Sequence, residues 1–137
     1  MAQSKKAPPR SRTKARAGKT APAGRVPSRD AFLRFHLPPL LRRKTLDVLE
    51  SLQASTDPAR HRKALADLVV ELTRCGMDAY FMKPLVIAKA GFVTEQSASL
   101  GMAGANQVLS SVIRNIIGSM GPPQLLSVCR SIRQFMQ

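Results

Sequence analysis

Few groups in this chain of 137 residues could move a proton, attack a carbon or hold a metal: His36, His61, Cys75, Cys129 and eight acidic side chains. Metal knuckles and redox pairs use closely spaced cysteines, because both sulfurs must reach one ion or each other. Cys75 and Cys129 are 54 positions apart and neither belongs to a CxxC pair. A nucleophilic cysteine also needs a base that the fold brings beside it. Cys75 lies close to an expected helix end and Cys129 among Leu126, Val128 and Ile132, so both read as small buried hydrophobes. The expectation is a protein that is not an enzyme, with no cofactor, no metal site and no small-molecule substrate.

The abundant chemistry is cationic. Lys5, Lys6, Arg10, Arg12, Lys14, Arg16, Lys19, Arg25 and Arg29 all fall in the first 29 residues, which contain no acid and carry nine of the net +14. Cations strung along a chain displace condensed counterions from a DNA or RNA phosphate backbone without reading bases. DNA or RNA is therefore the expected partner of residues 1–29, and an anionic lipid surface, which attracts the same charges, is the alternative. The rest of the segment is mainly Ala, Pro, Ser, Thr and Gly, which bury too little to offset the entropy of ordering, so a disordered basic arm is expected. It has no continuous apolar stretch of the kind a secretory signal needs. With only two cysteines and no disulfide framework, a cytoplasmic location is expected.

Two shorter clusters follow, Arg42, Arg43 and Lys44, then Arg60, Arg62 and Lys63 around His61. Both fall at the starts of expected helices, where each exposed cation opposes the helix dipole at a cost of about 0.3–1 kcal/mol. Phosphate would relieve that conflict, which makes these six residues further candidates for nucleic-acid contact. The alternative is a pair of solvated helix faces, with Arg43 to Asp47 and Lys63 to Asp67 as local ion pairs.

Short motifs in the arm add little. Gly18-Lys19-Thr20 has the ending of a phosphate-binding loop, but Thr13 stands where that loop needs glycine, and no strand precedes it. Gly24-Arg25-Val26-Pro27 resembles the Gly-Arg-Pro core of minor-groove AT-hooks, with Val26 interrupting it. In composition alone, the arm resembles the Lys-, Ala- and Pro-rich tails of linker-histone-like bacterial proteins and of some DNA-tethering granule phasins. One Tyr, five Phe and no Trp leave few rings for a sheet that stacks bases, so any nucleic-acid binding is expected to be electrostatic.

The elements that must position these groups are helical. Apolar spacing predicts an all-α domain over residues 30–137, a compact bundle of four or five helices after the disordered arm. Ser28 or Asp30 could cap a short turn holding Phe32 and Phe35. Pro38 and Pro39 open a first helix near 38–54, with Leu41, Thr45, Val48 and Leu52 on one face. Asp57-Pro58 opens a second, with Leu65, Leu68, Val69 and Leu72 inward and Gly76 as its stop, antiparallel to the first. Asp78 is expected to cap a third helix running to about Ala90, with Pro84 forcing a kink or a late start. Thr94 or Ser97 would open a fourth, and Pro122-Pro123 a fifth carrying Leu125, Leu126, Val128, Ile132 and Phe135.

The fourth helix is unusual. From Gln96 to Cys129 the only charge is Arg114, and small residues recur among the aliphatic ones. Glycine inside a helix costs about 1 kcal/mol relative to alanine, so a close neighbour is expected to compensate. The first expectation is close packing as the central helix of the bundle. The second is self-association through Gly101, Gly104, Leu109, Val112, Ile113 and Ile116, giving a homo-oligomer or a contact with another protein. The third lays an apolar face on lipid, with Lys83 and Lys89 at headgroups and Asn106, Gln107, Arg114 and Asn115 toward water. The expected function is a non-enzymatic adaptor, its arm on nucleic acid and its helical domain on itself or a partner. The alternatives are a peripheral membrane or lipid-granule-coating protein, and a protein-binding scaffold with an incidental tail.

Overall fold

The computed structural model describes residues 34–137. Five α-helices follow in order: α1 (Pro39–Ala54), α2 (Arg62–Met77), α3 (Lys83–Ile87), α4 (Phe92–Ser119) and α5 (Pro122–Phe135). No strand occurs among the described residues.

Local chemistry explains most helix starts. Pro38 and Pro39 lead into α1, and Pro122 and Pro123 form the first turn of α5, where a missing N–H loses no hydrogen bond. The Gln124 side chain then accepts from the Gly121 amide at 2.8 Å. Ahead of α2, the Asp57 carboxylate accepts from the Ala59 amide at 3.1 Å and caps a 3₁₀ turn, Pro58–His61, that runs straight into the helix.

Residues Leu49, Leu52, Leu65, Ala66, Leu68, Ile117, Leu125 and Cys129 form the buried core. Thr45 is also fully buried, and its hydroxyl donates to the Leu41 carbonyl at 2.7 Å, so no polar atom there is left without a partner. Leu41, Val48, Val69, Leu72, Ile113 and Met120 are among the half-buried side chains around the core.

Cross-helix contacts fix the helix directions. Lys44, near the start of α1, pairs with Glu71, late in α2, so α1 and α2 run antiparallel. Along α2 the partners on the α4 side fall in number as α2 rises. Arg62 donates to the Met120 carbonyl at 3.0 Å, Arg114 reaches Asp67 at 3.0 Å, and Arg74 reaches Ser110 at 3.3 Å. Helices α2 and α4 are therefore antiparallel along their shared length.

Three boundaries differ from the sequence expectation. Gly76 does not stop α2, and Asp78 does not cap a new helix; the chain continues through one turn of π-helix, Asp78–Met82, directly into α3. The wide turn precedes Pro84, whose ring would clash with the preceding turn of a regular α-helix, so the extra room resolves the conflict without ending the helix. Helix α4 starts at Phe92, ahead of both Thr94 and Ser97, because the reversal is completed by Lys89 at φ 51° and Gly91 at φ 94°. A left-handed φ suits glycine at the second of these positions. The expected turn around Phe32 lies partly outside the described residues, and Phe35 itself is not helical.

At about 1.5 Å per residue, the 28 residues of α4 extend roughly 42 Å. Only the end nearer α5 meets the core, and no residue between Glu71 and Leu109 is fully buried. The π-turn, α3 and the first half of α4 thus form a helical hairpin that projects beyond the packed part of the domain.

Candidate interaction surface

The nine arm cations, Lys5 to Arg29, lie outside the described residues. The other two basic clusters can be placed. Arg42, Arg43 and Lys44 are exposed on the first two turns of α1, and Arg60, Arg62 and Lys63 sit at the entry to α2. Antiparallel packing puts these entries at opposite ends of the helix pair, so the two clusters do not form one patch. Half of these cations are engaged with protein groups: Lys44 with Glu71, Arg60 with Asp57 at 3.4 Å, and Arg62 with the Met120 carbonyl. Among the described residues, Arg42, Arg43 and Lys63 form no ion pair.

The expected local pairs do not form. Asp67 meets Arg114 instead, which directs Nε at 3.1 Å and Nη2 at 3.0 Å onto the same carboxylate oxygen. Two donors in a fixed fork outcompete a flexible lysine one turn away. The one charge between Gln96 and Cys129 is thus held on the α2 side of α4.

The projecting hairpin exposes large apolar side chains that the sequence pattern did not single out. Val86 is 56% exposed, Ile87 80%, Phe92 77%, Val93 76% and Leu100 71%. Tyr80, Phe81 and Val108 are exposed as well. A sequence signal was available: after Lys83, Leu85, Val86 and Ile87 run consecutively, and three adjacent apolar side chains on a helix cannot all face one core.

The hairpin's two sides differ. On one, Gly76, Met77 and Tyr80 face Ala98, Gly101 and Met102 across an open apolar groove of about 500 Å³. On the other, Arg74 and Asp78 face Ser99 and Asn106. Phe35, just ahead of α1, reaches the hairpin and stacks edge-on against Tyr80.

The helix glycines overturn the expectation that α4 is the tightly packed centre of the bundle. A methyl group built at Gly101, Gly104 or Gly118 would meet nothing within 4 Å. Among the described residues nothing approaches these glycines closely, because α4 packs on α2 mainly through another face. That face carries Ile113, packed against the core, and half-buried Leu109. Gly101 opens onto the apolar groove, and Gly104, Val112 and Ile116 point to solvent, with Val112 and Ile116 about half exposed. The six candidate self-association residues are therefore divided between two faces of α4.

The groups that could do covalent chemistry stay apart. His36 is exposed outside the helices, His61 is half-buried at the α2 entry, Cys75 is half-buried in α2, and Cys129 is buried in α5. Both cysteines are free. Burial raises the Cys129 thiol pKa above its ordinary value, while Arg133 acts in the opposite direction. Among the described residues, no three or more His, Cys, Asp or Glu side chains gather as a metal site would require. No described helix is long and apolar enough to cross a membrane. Compared with protein families, with curated proteins and with solved structures, the chain matches none.

Proposed function

We propose that the protein is a non-catalytic adaptor, holding DNA or RNA through its basic arm and a second surface through the projecting hairpin. The supporting observation is segregation. Nine cations without an acid occupy residues 1–29, whereas Gln96 to Cys129 has one charge, and the helix holding most of that stretch leaves Phe92, Val93, Leu100 and Val108 uncovered. Each segment suits a different medium, polyphosphate for the first and an apolar surface for the second. A reducing cytoplasm accords with two free thiols. The helical domain adds little to phosphate binding in this reading, since three of its six clustered cations are already engaged within the chain.

The test is fluorescence anisotropy of the full chain, and of a variant lacking residues 1–29, against labelled duplex DNA and single-stranded RNA across a salt series. The full chain is expected to bind with a steep salt dependence. The slope has a limit of about eight if all nine arm cations meet duplex phosphates. The deletion is expected to abolish binding while helicity is retained. Affinity that survives the deletion would sink the proposal.

A further inference from the structure

We infer that the turn between α3 and α4 enters an anionic lipid surface, with Val86, Ile87, Phe92 and Val93 at the acyl boundary and Lys83 and Lys89 at the headgroups. This deepens the adaptor reading, naming the second surface it requires.

The first support is shape. The four apolar residues lie on either side of the reversal at Lys89 and Gly91, each more than half exposed. They occupy adjacent positions, 86 with 87 and 92 with 93, and neighbours on a helix point about 100° apart. A partner helix or groove collects a single stripe at spacings of three and four. A fluid hydrocarbon layer accepts side chains in any direction, so it can cover all four at once.

Charge supplies the second support. Between Asp78 and Glu95 the only charged residues are Lys83 and Lys89, both exposed. Anionic headgroups attract lysines flanking an apolar insertion. A two-fold pairing of this turn with a second copy would instead bring the same two lysines to one interface, and like charges facing across an interface oppose association.

The third support is mechanical. No residue from Leu72 to Val108 is fully buried, so this end can pass from water into an interface without uncovering Leu49, Leu65 or Leu125. No described helix can span a bilayer, which limits the contact to insertion at the interface.

The experiment uses the full chain with sedimentable vesicles, either phosphatidylglycerol mixed with phosphatidylcholine or phosphatidylcholine alone. Binding is expected to the mixed vesicles and to be much weaker with phosphatidylcholine alone. The double substitution Ile87→Ser and Phe92→Ser is expected to reduce partitioning about tenfold or more, because each removes a large apolar group from the buried set. Lys83→Gln with Lys89→Gln should weaken binding to the mixed vesicles selectively. As a second readout, Phe92→Trp places an indole in a chain that has no Trp, and its emission should shift to the blue on vesicle addition and be quenched by brominated acyl chains.

Vesicle binding that ignores Ile87→Ser and Phe92→Ser, or an indole at 92 that stays in water, overturns the inference. So does an oligomer of the full chain that hides this indole without lipid. DNA anisotropy on the same double variant separates the two ideas. The arm is intact there, so DNA affinity is expected to be unchanged, and a full chain that binds vesicles but no nucleic acid refutes the adaptor reading alone.

Discussion

Phe35 stands edge-on to Tyr80, with ring centroids 5.5 Å apart and planes at 81°. The same ring lies 3.7 Å from where a methyl group would project at Gly76. The chain thus enters the domain against the point where α2 passes into the π-turn. A ring at residue 35 steadies a stretch of helix that contributes nothing to the core.

That contact is measurable because Tyr80 is the only tyrosine and the chain has no tryptophan. Phe35→Ala should raise the accessibility of Tyr80 fluorescence to a neutral quencher. A double-mutant cycle with Tyr80→Ala should give a coupling of about 0.5–1.5 kcal/mol, typical of an edge-to-face pair. Zero coupling would mean that the rings meet without stabilising the fold.

Gly101→Ala and Gly104→Ala should each stabilise the protein by about 0.5–1 kcal/mol. Both glycines are helical, and an added methyl meets nothing within 4 Å. Thermal or urea unfolding decides the sign. A loss of stability would show that these positions are already packed against in solution.

Leu49→Ala should cost about 2–5 kcal/mol, since Leu49 is fully buried and its removal leaves a cavity. Leu100→Ser, at a side chain 71% exposed, should fall within about 0.5 kcal/mol of the parent. Urea midpoints for the two variants, compared at equal m-value, would check the division between packed domain and projecting hairpin.

Asp67→Asn should lower stability by about 0.2–1 kcal/mol at low salt, because Arg114 and Asp67 are 53% and 36% exposed. The difference should shrink toward zero in concentrated salt. A loss independent of salt would point to the hydrogen-bond geometry rather than to charge.

Cys129 holds its proton more tightly when folded than when unfolded, because burial disfavours the thiolate and Arg133 only partly opposes that. Its stabilising effect is complete below the ordinary value of 9.0 and is lost as pH rises through the higher folded value. Urea stability should therefore decline above pH 9.0, and the decline should be shallower in Cys129→Ala. With a thiol reagent at neutral pH, half-buried Cys75 should react first and Cys129 only on unfolding.

The all-helical class and most helix starts were legible in the sequence because their causes are local. Pro38-Pro39, Asp57-Pro58 and Pro122-Pro123 act within one turn of chain, and the spacing of Leu65, Leu68 and Leu72 marks an inward face without reference to a partner. Gly76 misled for the converse reason. Glycine permits a helix to end but does not compel it, and the wide turn before Pro84 let the helix continue.

By itself, the sequence determined how charge is divided: a cationic arm, and a stretch after Glu95 with almost no charge. Tertiary structure decided which apolar residues meet each other. Ile113 and Val112 are adjacent and chemically alike, yet Ile113 packs on the core and Val112 looks outward. Burial depends on how far α2 extends alongside α4, and α4 is simply longer than the neighbour available to cover it. The apolar spacing along α4 records that a face exists, whereas the lengths and directions of its neighbours set where that face stops being covered.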